Sequence, residues 1–164
     1  MSTIKIIEDT IFDWLSEFGI VIFANQSSGI QDYPFIICNL KSFDKIGNDQ
    51  EIYNLKNDEV NRYGMRTFSI SLDIYDSENG NAQQIAQNII NSIDSRKTYK
   101  IFRNINLVLD NNVKAINLTT FIKSSFEQRI HIDIQAKYTT NIQEKIETID
   151  LKNVEIKGIL NAIS

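Results

Sequence analysis

From Ser125 to Tyr138 the chain alternates between two kinds of residue. Phe126, Ile130, Ile132, Ile134, Ala136 and Tyr138 share one parity, on which Gln128 is the only polar member. Glu127, Arg129, His131, Asp133, Gln135 and Lys137 fill the other, and none of them is apolar. Successive side chains of a strand point to opposite faces, so this pattern predicts a long strand with one buried and one wet side. The wet side carries both signs of charge. That suits water or a polar protein contact better than a catalytic pocket, and it points toward a structural part.

The rest of the chain supplies what such a strand needs to be covered. Ile7, Ile11, Trp14, Leu15 and Phe18 recur at spacings of three and four, which predicts a helix with one apolar stripe, ended by Gly19. Ile20 to Ala24 reads as a short inner strand, Asn25 to Gly29 as a turn-prone loop, and Phe35 to Cys38 as a strand opened by Pro34. Asp44 to Asn61 is polar and weakly periodic, a long loop or a projecting hairpin. Phe68, Ile70, Leu72 and Ile74 alternate with Thr67, Ser69, Ser71 and Asp73, giving a second half-buried strand. Ala82, Ile85, Ala86, Ile89 and Ile93 define a second helix, and Leu107 to Leu109 a further strand before the Asp110-Asn111-Asn112 turn. Thr139 to Gln143 is expected to be a loop, and Ile146, Ile149, Val154 and Ile156 a partly extended C-terminal segment. The order predicts an α+β fold, a mostly antiparallel sheet with two amphipathic helices packed on it.

Length and composition narrow the function classes. At 164 residues the chain fits one domain spanning 1–164. A net charge of -4 argues against general nucleic-acid binding, which draws its affinity from cations on phosphates. Cys38 is alone, so it forms no internal disulfide, and its apolar neighbours predict a buried small hydrophobe. The N-terminal MSTIKIIEDT reaches charge before a signal-peptide core forms, and no apolar run is long enough to span a bilayer. The expectation is a protein made in a reducing cytoplasm, with no membrane partner.

Chemical motifs are sparse. One Cys and one His do not supply a typical structural zinc site, and neither C-x-x-C, H-E-x-x-H, G-x-x-x-x-G-K nor G-x-G-x-x-G occurs. Ser2-Thr3-Ile4-Lys5 matches S-x-x-K without its companion motifs. His131 and Asp133 share the wet strand face, a spacing open to proton transfer, but no nucleophile accompanies them and a solvated charge pair is the preferred reading. Arg96, Lys97, Lys100 and Arg103 interleave with Tyr99 and Phe102, a combination able to bind single strands. The same cations also follow a helix, where they offset the dipole, and the structural reading is preferred. No residue is assigned a catalytic, cofactor-binding or metal-binding role.

Two stretches carry a resemblance. Val21-Ile22-Phe23-Ala24-Asn25-Gln26, followed by Tyr33-Pro34-Phe35-Ile36, is similar to the early segment of bacteriophage neck or tail-terminator proteins. There an apolar strand runs into an Ala-Asn-Gln loop and then a Pro-aromatic strand. Phe126-Glu127-Gln128-Arg129 resembles the family's late acidic-x-Arg strand, after which the chain closes on a short β segment, here Ile146 to Gly158. The strand at Phe68 to Tyr75 and the helix at Ala82 to Ile93 fall between them in the family's order. The likeness runs from Phe18 to Gly158, and Asp44 to Tyr63 has no counterpart in it.

The resemblance implies a non-enzymatic virion protein, assembled in the bacterial host cytoplasm into a hexameric homo-oligomeric ring at the head-proximal end of a tail. Such a ring caps the tail tube, stops its growth and docks the head connector or adaptor, with tail sheath as a further neighbour. DNA only passes through the lumen. The residues expected at subunit or partner interfaces are Asn25, Gln26, Glu127, Arg129, Asp133 and Lys137. A different class, a cytosolic module holding a peptide or small ligand on its sheet, stands as the alternative.

Overall fold

Thr3–Leu15 forms helix α1, which buries Ile7, Ile11, Trp14 and Leu15, the stripe that the spacing of its apolar residues predicts. It stops earlier than expected. Ser16 and Phe18 make turn hydrogen bonds back to Phe12 and Leu15, so Gly19 lies beyond the helix end. The computed structural model describes residues 3–24, 32–54, 56, 58–122 and 125–145. The expected C-terminal segment from Ile146 and the loop containing Asn25 and Gln26 lie outside them.

Strand β1 (Ile20–Phe23) runs parallel to the start of β2 (Phe35–Asn54), pairing Ile20 with Phe35. The long strands β2 and β3 (Glu59–Asp76) are antiparallel neighbours. Helices α2 (Ala82–Ile93) and α3 (Arg96–Arg103) follow, then β4 (Leu107–Leu109), β5 (Lys114–Asn117), β6 (Thr120–Ile122) and β7 (Ser125–Lys145). The hydrogen-bonded order is β1-β2-β3-β7-β4, with β5 and β6 also on β7, so one mixed, mostly antiparallel sheet carries the helices. The fold is α+β.

The parity of β7 is as its alternation predicts. Ile130, Ile132, Ile134 and Ala136 are buried with Phe68, Ile70, Leu72 and Ile74 of β3, Ile36 and Cys38 of β2, and the helix stripes. Burial also pushes the Cys38 thiol up to about 12, which keeps it un-ionised. Phe126 keeps the same parity but is 50% exposed and packs edge-on against Phe121.

Two expectations are corrected. The basic stretch after α2 is a third helix, α3, where two were expected. Ser95 caps it by accepting from the Thr98 N–H, and Thr98 and Phe102 are buried on its inner side. Phe102 meets Trp14 edge-on at 5.4 Å, and the Trp14 indole donates to Ser92 at 3.0 Å, so the three helices interlock. Thr139 to Gln143 is not a loop. Strand β7 continues to Lys145, which pairs with Glu59. The short edge strands β5 and β6, which have no apolar parity to announce them, are additions.

Of the two readings of Asp44 to Asn61, the hairpin is the structure. It joins the far half of β7 in a three-stranded arm whose residues 44–54 take no part in the core. Register shifts between Lys41 and Asp44 and between Ile46 and Gln50 bend its first strand. Gly47, at φ 63, supplies the left-handed backbone in the second of these.

Candidate functional site

The helices cover one face of the sheet, and side-chain alternation therefore assigns a defined set of residues to the other. Cross-strand pairs Tyr75–Arg129, Asp73–His131 and Ser71–Asp133 lie side by side there, flanked by Phe35 opposite Tyr75 and Ile37 opposite Asp73. Four planar groups cross the strands in a row. The Tyr33 and Phe35 rings stack at 5.6 Å, Phe35 and Tyr75 at 4.9 Å, and the Arg129 guanidinium lies 5.4 Å from the Tyr75 ring centre.

An ion-pair chain runs beside this row. Arg129 Nε donates to Asp73 Oδ1 at 3.1 Å, and its Nη2 lies 3.1 Å from the same oxygen. His131 Nδ1 lies 3.0 Å from the same oxygen, and its Nε2 lies 3.0 Å from Asp133 Oδ2. A carboxylate only accepts, so an imidazole facing carboxylates with both nitrogens is best satisfied when both carry a proton. Burial opposes that charge, but the bonds to Asp133 and Asp73 outweigh it and hold the His131 pKa above its ordinary 6.5. At the end of the row, the Tyr33 hydroxyl donates to Glu127. That bond is the main reason the Tyr33 pKa is raised.

Glu127, Arg129 and Asp133, expected at an interface from the strand pattern, are thus brought into one network. Lys137 is not part of it. It keeps the same parity but lies about 13 Å further along the strand than Asp133, opposite Thr67 and Val108. Asn25 and Gln26 lie outside the described residues. Tyr33, Phe35, Asp73 and Tyr75 belong to the site without having been expected there. Asp73 was legible as the one charged residue among the Thr and Ser of its strand face, whereas the aromatic row depends on a register that the sequence does not state.

Arg129, Asp73, His131 and Asp133 thus satisfy one another's charges. Around it stand exposed apolar side chains, Ile20 opposite Phe35, Tyr33, and Ile116 opposite His131. Arginine and aromatic anchors within an apolar surround are the composition of a protein contact. Among the described residues, no three His, Cys, Asp or Glu side chains are grouped to hold a metal ion.

Comparison with known proteins bears on what that face serves. No curated protein matches the chain. The phage neck terminator protein family matches residues 5–161, from the first turns of α1 to beyond the end of β7. With nearly its whole length matched, the chain belongs to the phage neck terminator protein family, and it is a structural protein of the virion's tail and neck.

Proposed function

We propose that copies of this neck protein close into a hexameric ring at the head-proximal end of the tail, where the ring caps the tail tube and joins it to the head connector. Neighbouring copies meet through the uncovered sheet face, in the head-to-tail manner that closes cyclic assemblies. The observation that carries this reading is the row Tyr33, Phe35, Tyr75 and Arg129, an ordered aromatic and cationic surface that no helix covers among the described residues. Glu127, Arg129 and Asp133 set the register of the contact, and apolar surface supplies most of its affinity, since exposed charge pairs contribute only about 0.2–1 kcal/mol each. The net charge of -4 suits a lumen through which DNA passes without being held. Assembly of the ring takes place in the host cytoplasm before it meets tube, sheath and connector.

Deleting the gene tests the role. The expected result is filled heads and separate tails, unjoined or of uncontrolled length, in electron micrographs of lysates. Normal joined particles from the deletion would overturn it.

A further inference from the structure

Beside α3, a cleft of about 480 Å³ lies at the β4 edge of the sheet. Its floor is apolar, made by Ile93, Phe102 and Leu107, all buried in the core. Tyr99 and Val108, 56% and 60% exposed, stand at its mouth. Arg96, Arg103 and Lys137 line the rim together with Asp94 and Asp110.

The two arginines of this rim differ from the other three in the chain. Arg62, Arg66 and Arg129 each sit on a carboxylate. Arg96, Arg103 and Lys137, and Lys100 on the same helix, have no carboxylate within ion-pair distance among the described residues, whereas Lys97 is taken by Glu17. Helix α3 carries four cations and no acid. Lys100 and Arg103 offset the dipole at its C-terminal end, but Arg96 lies in its first turn, where a positive charge is opposed. Arg96 therefore has no stabilising role within its own helix.

We infer that this cleft docks an acidic segment of a partner protein, one that sets an aromatic or aliphatic side chain on the apolar floor and its carboxylates against Arg96, Arg103 and Lys137. Charge complementarity selects the sign of the partner, and the floor selects a peptide over a nucleic acid. A phosphodiester chain has no use for a buried apolar floor, and so few cations on a chain of charge -4 neutralise few phosphates. The cleft lies at the β4 edge, apart from the Tyr33–Arg129 row proposed as the inter-subunit contact, so a copy engaged by its neighbours keeps it free for tail or connector components.

The test is fluorescence anisotropy on the full chain with a short labelled peptide of Asp and Glu around a Phe-Leu pair. A peptide with Lys in place of the acids and an oligothymidylate of equal length serve as the other probes. The acidic peptide is expected to bind saturably, and Arg96→Glu with Arg103→Glu to weaken it by about tenfold or more. Lys137→Glu, on a different element, weakens it separately, and Arg129→Glu, far along β7 from the cleft, leaves it unchanged, which separates this inference from the ring. No saturable binding, binding indifferent to the rim substitutions, or tighter binding of the oligothymidylate would each overturn it.

Discussion

Gln128 caps helix α2 from across the fold: its Oε1 accepts the Ala82 N–H at 3.1 Å. Its Nε2 donates to the carbonyls of Glu78 and Gly80, both at 3.0 Å. The one polar residue on the apolar parity between Ser125 and Tyr138 is therefore the clasp that fixes the β3–α2 turn and, through it, the helix. Gln128→Leu keeps the strand pattern but strands these three backbone groups, and it is expected to lower unfolding free energy by about 1–3 kcal/mol in urea melts. An unchanged midpoint would remove the clasp from the account.

Ile132 is fully buried between β3 and the helices. Ile132→Ala is expected to cost about 2–5 kcal/mol by cavity formation. Arg129→Gln, on the opposite face of the same strand, should cost much less in the same melts. Equal losses would mean that the two faces are not divided as described.

His131 gives the stability a pH dependence of definite sign. Facing it are Asp73 from β3, Arg129 and Asp133 on its own strand, and Lys114 of β5, which pairs in register with Asp133. With its pKa raised in the folded protein, its contribution is fully present below the unfolded value of 6.5 and is lost as pH rises through the higher folded value. The stability difference between wild type and His131→Gln should shrink across that window, and the imidazole signals in NMR should titrate above 6.5. A difference that grew with pH would contradict the assignment.

In the arm, Arg66 clasps Asp49 with two bonds of 2.9 and 3.0 Å, and holds the Asp49 pKa down to about 2. Gly64 makes room for the pair, because a methyl group there would lie 2.2 Å from Asp49 Oδ1. Gly64→Ala is expected to speed amide exchange across residues 44–54 while the amides of Phe68 to Ile74 keep their protection. Slower or unchanged exchange in the arm would show that the clasp does not order it.

What could be read in the sequence follows from burial on one side only. Ile130 to Ile134 and Phe68 to Ile74 alternate because one face meets helices and the other water, and that contrast survives into the sequence. Thr139 to Gln143 carries no such contrast, since among the described residues no helix packs on the arm, and a strand polar on both faces looks like a loop. Helix α3 buries only Thr98 and Phe102, one turn apart, too short a stripe to show periodicity. Glu127, Arg129 and Asp133 were legible as one wet face. Their partners Asp73, Tyr75 and Tyr33 come from other segments, and only the register between strands brings them together.

The uncovered sheet face as the contact between copies is the central claim, and association in solution tests it most directly. Sedimentation velocity and native mass spectrometry of the purified chain should show a closed hexamer. Arg129→Glu should break it into smaller species with a salt-dependent deficit, and so should Ile116→Lys, an exposed neighbour on that face, with the circular dichroism of the folded chain retained in both. A wild-type chain that stays monomeric at every concentration, or a hexamer untouched by both substitutions, would contradict the account.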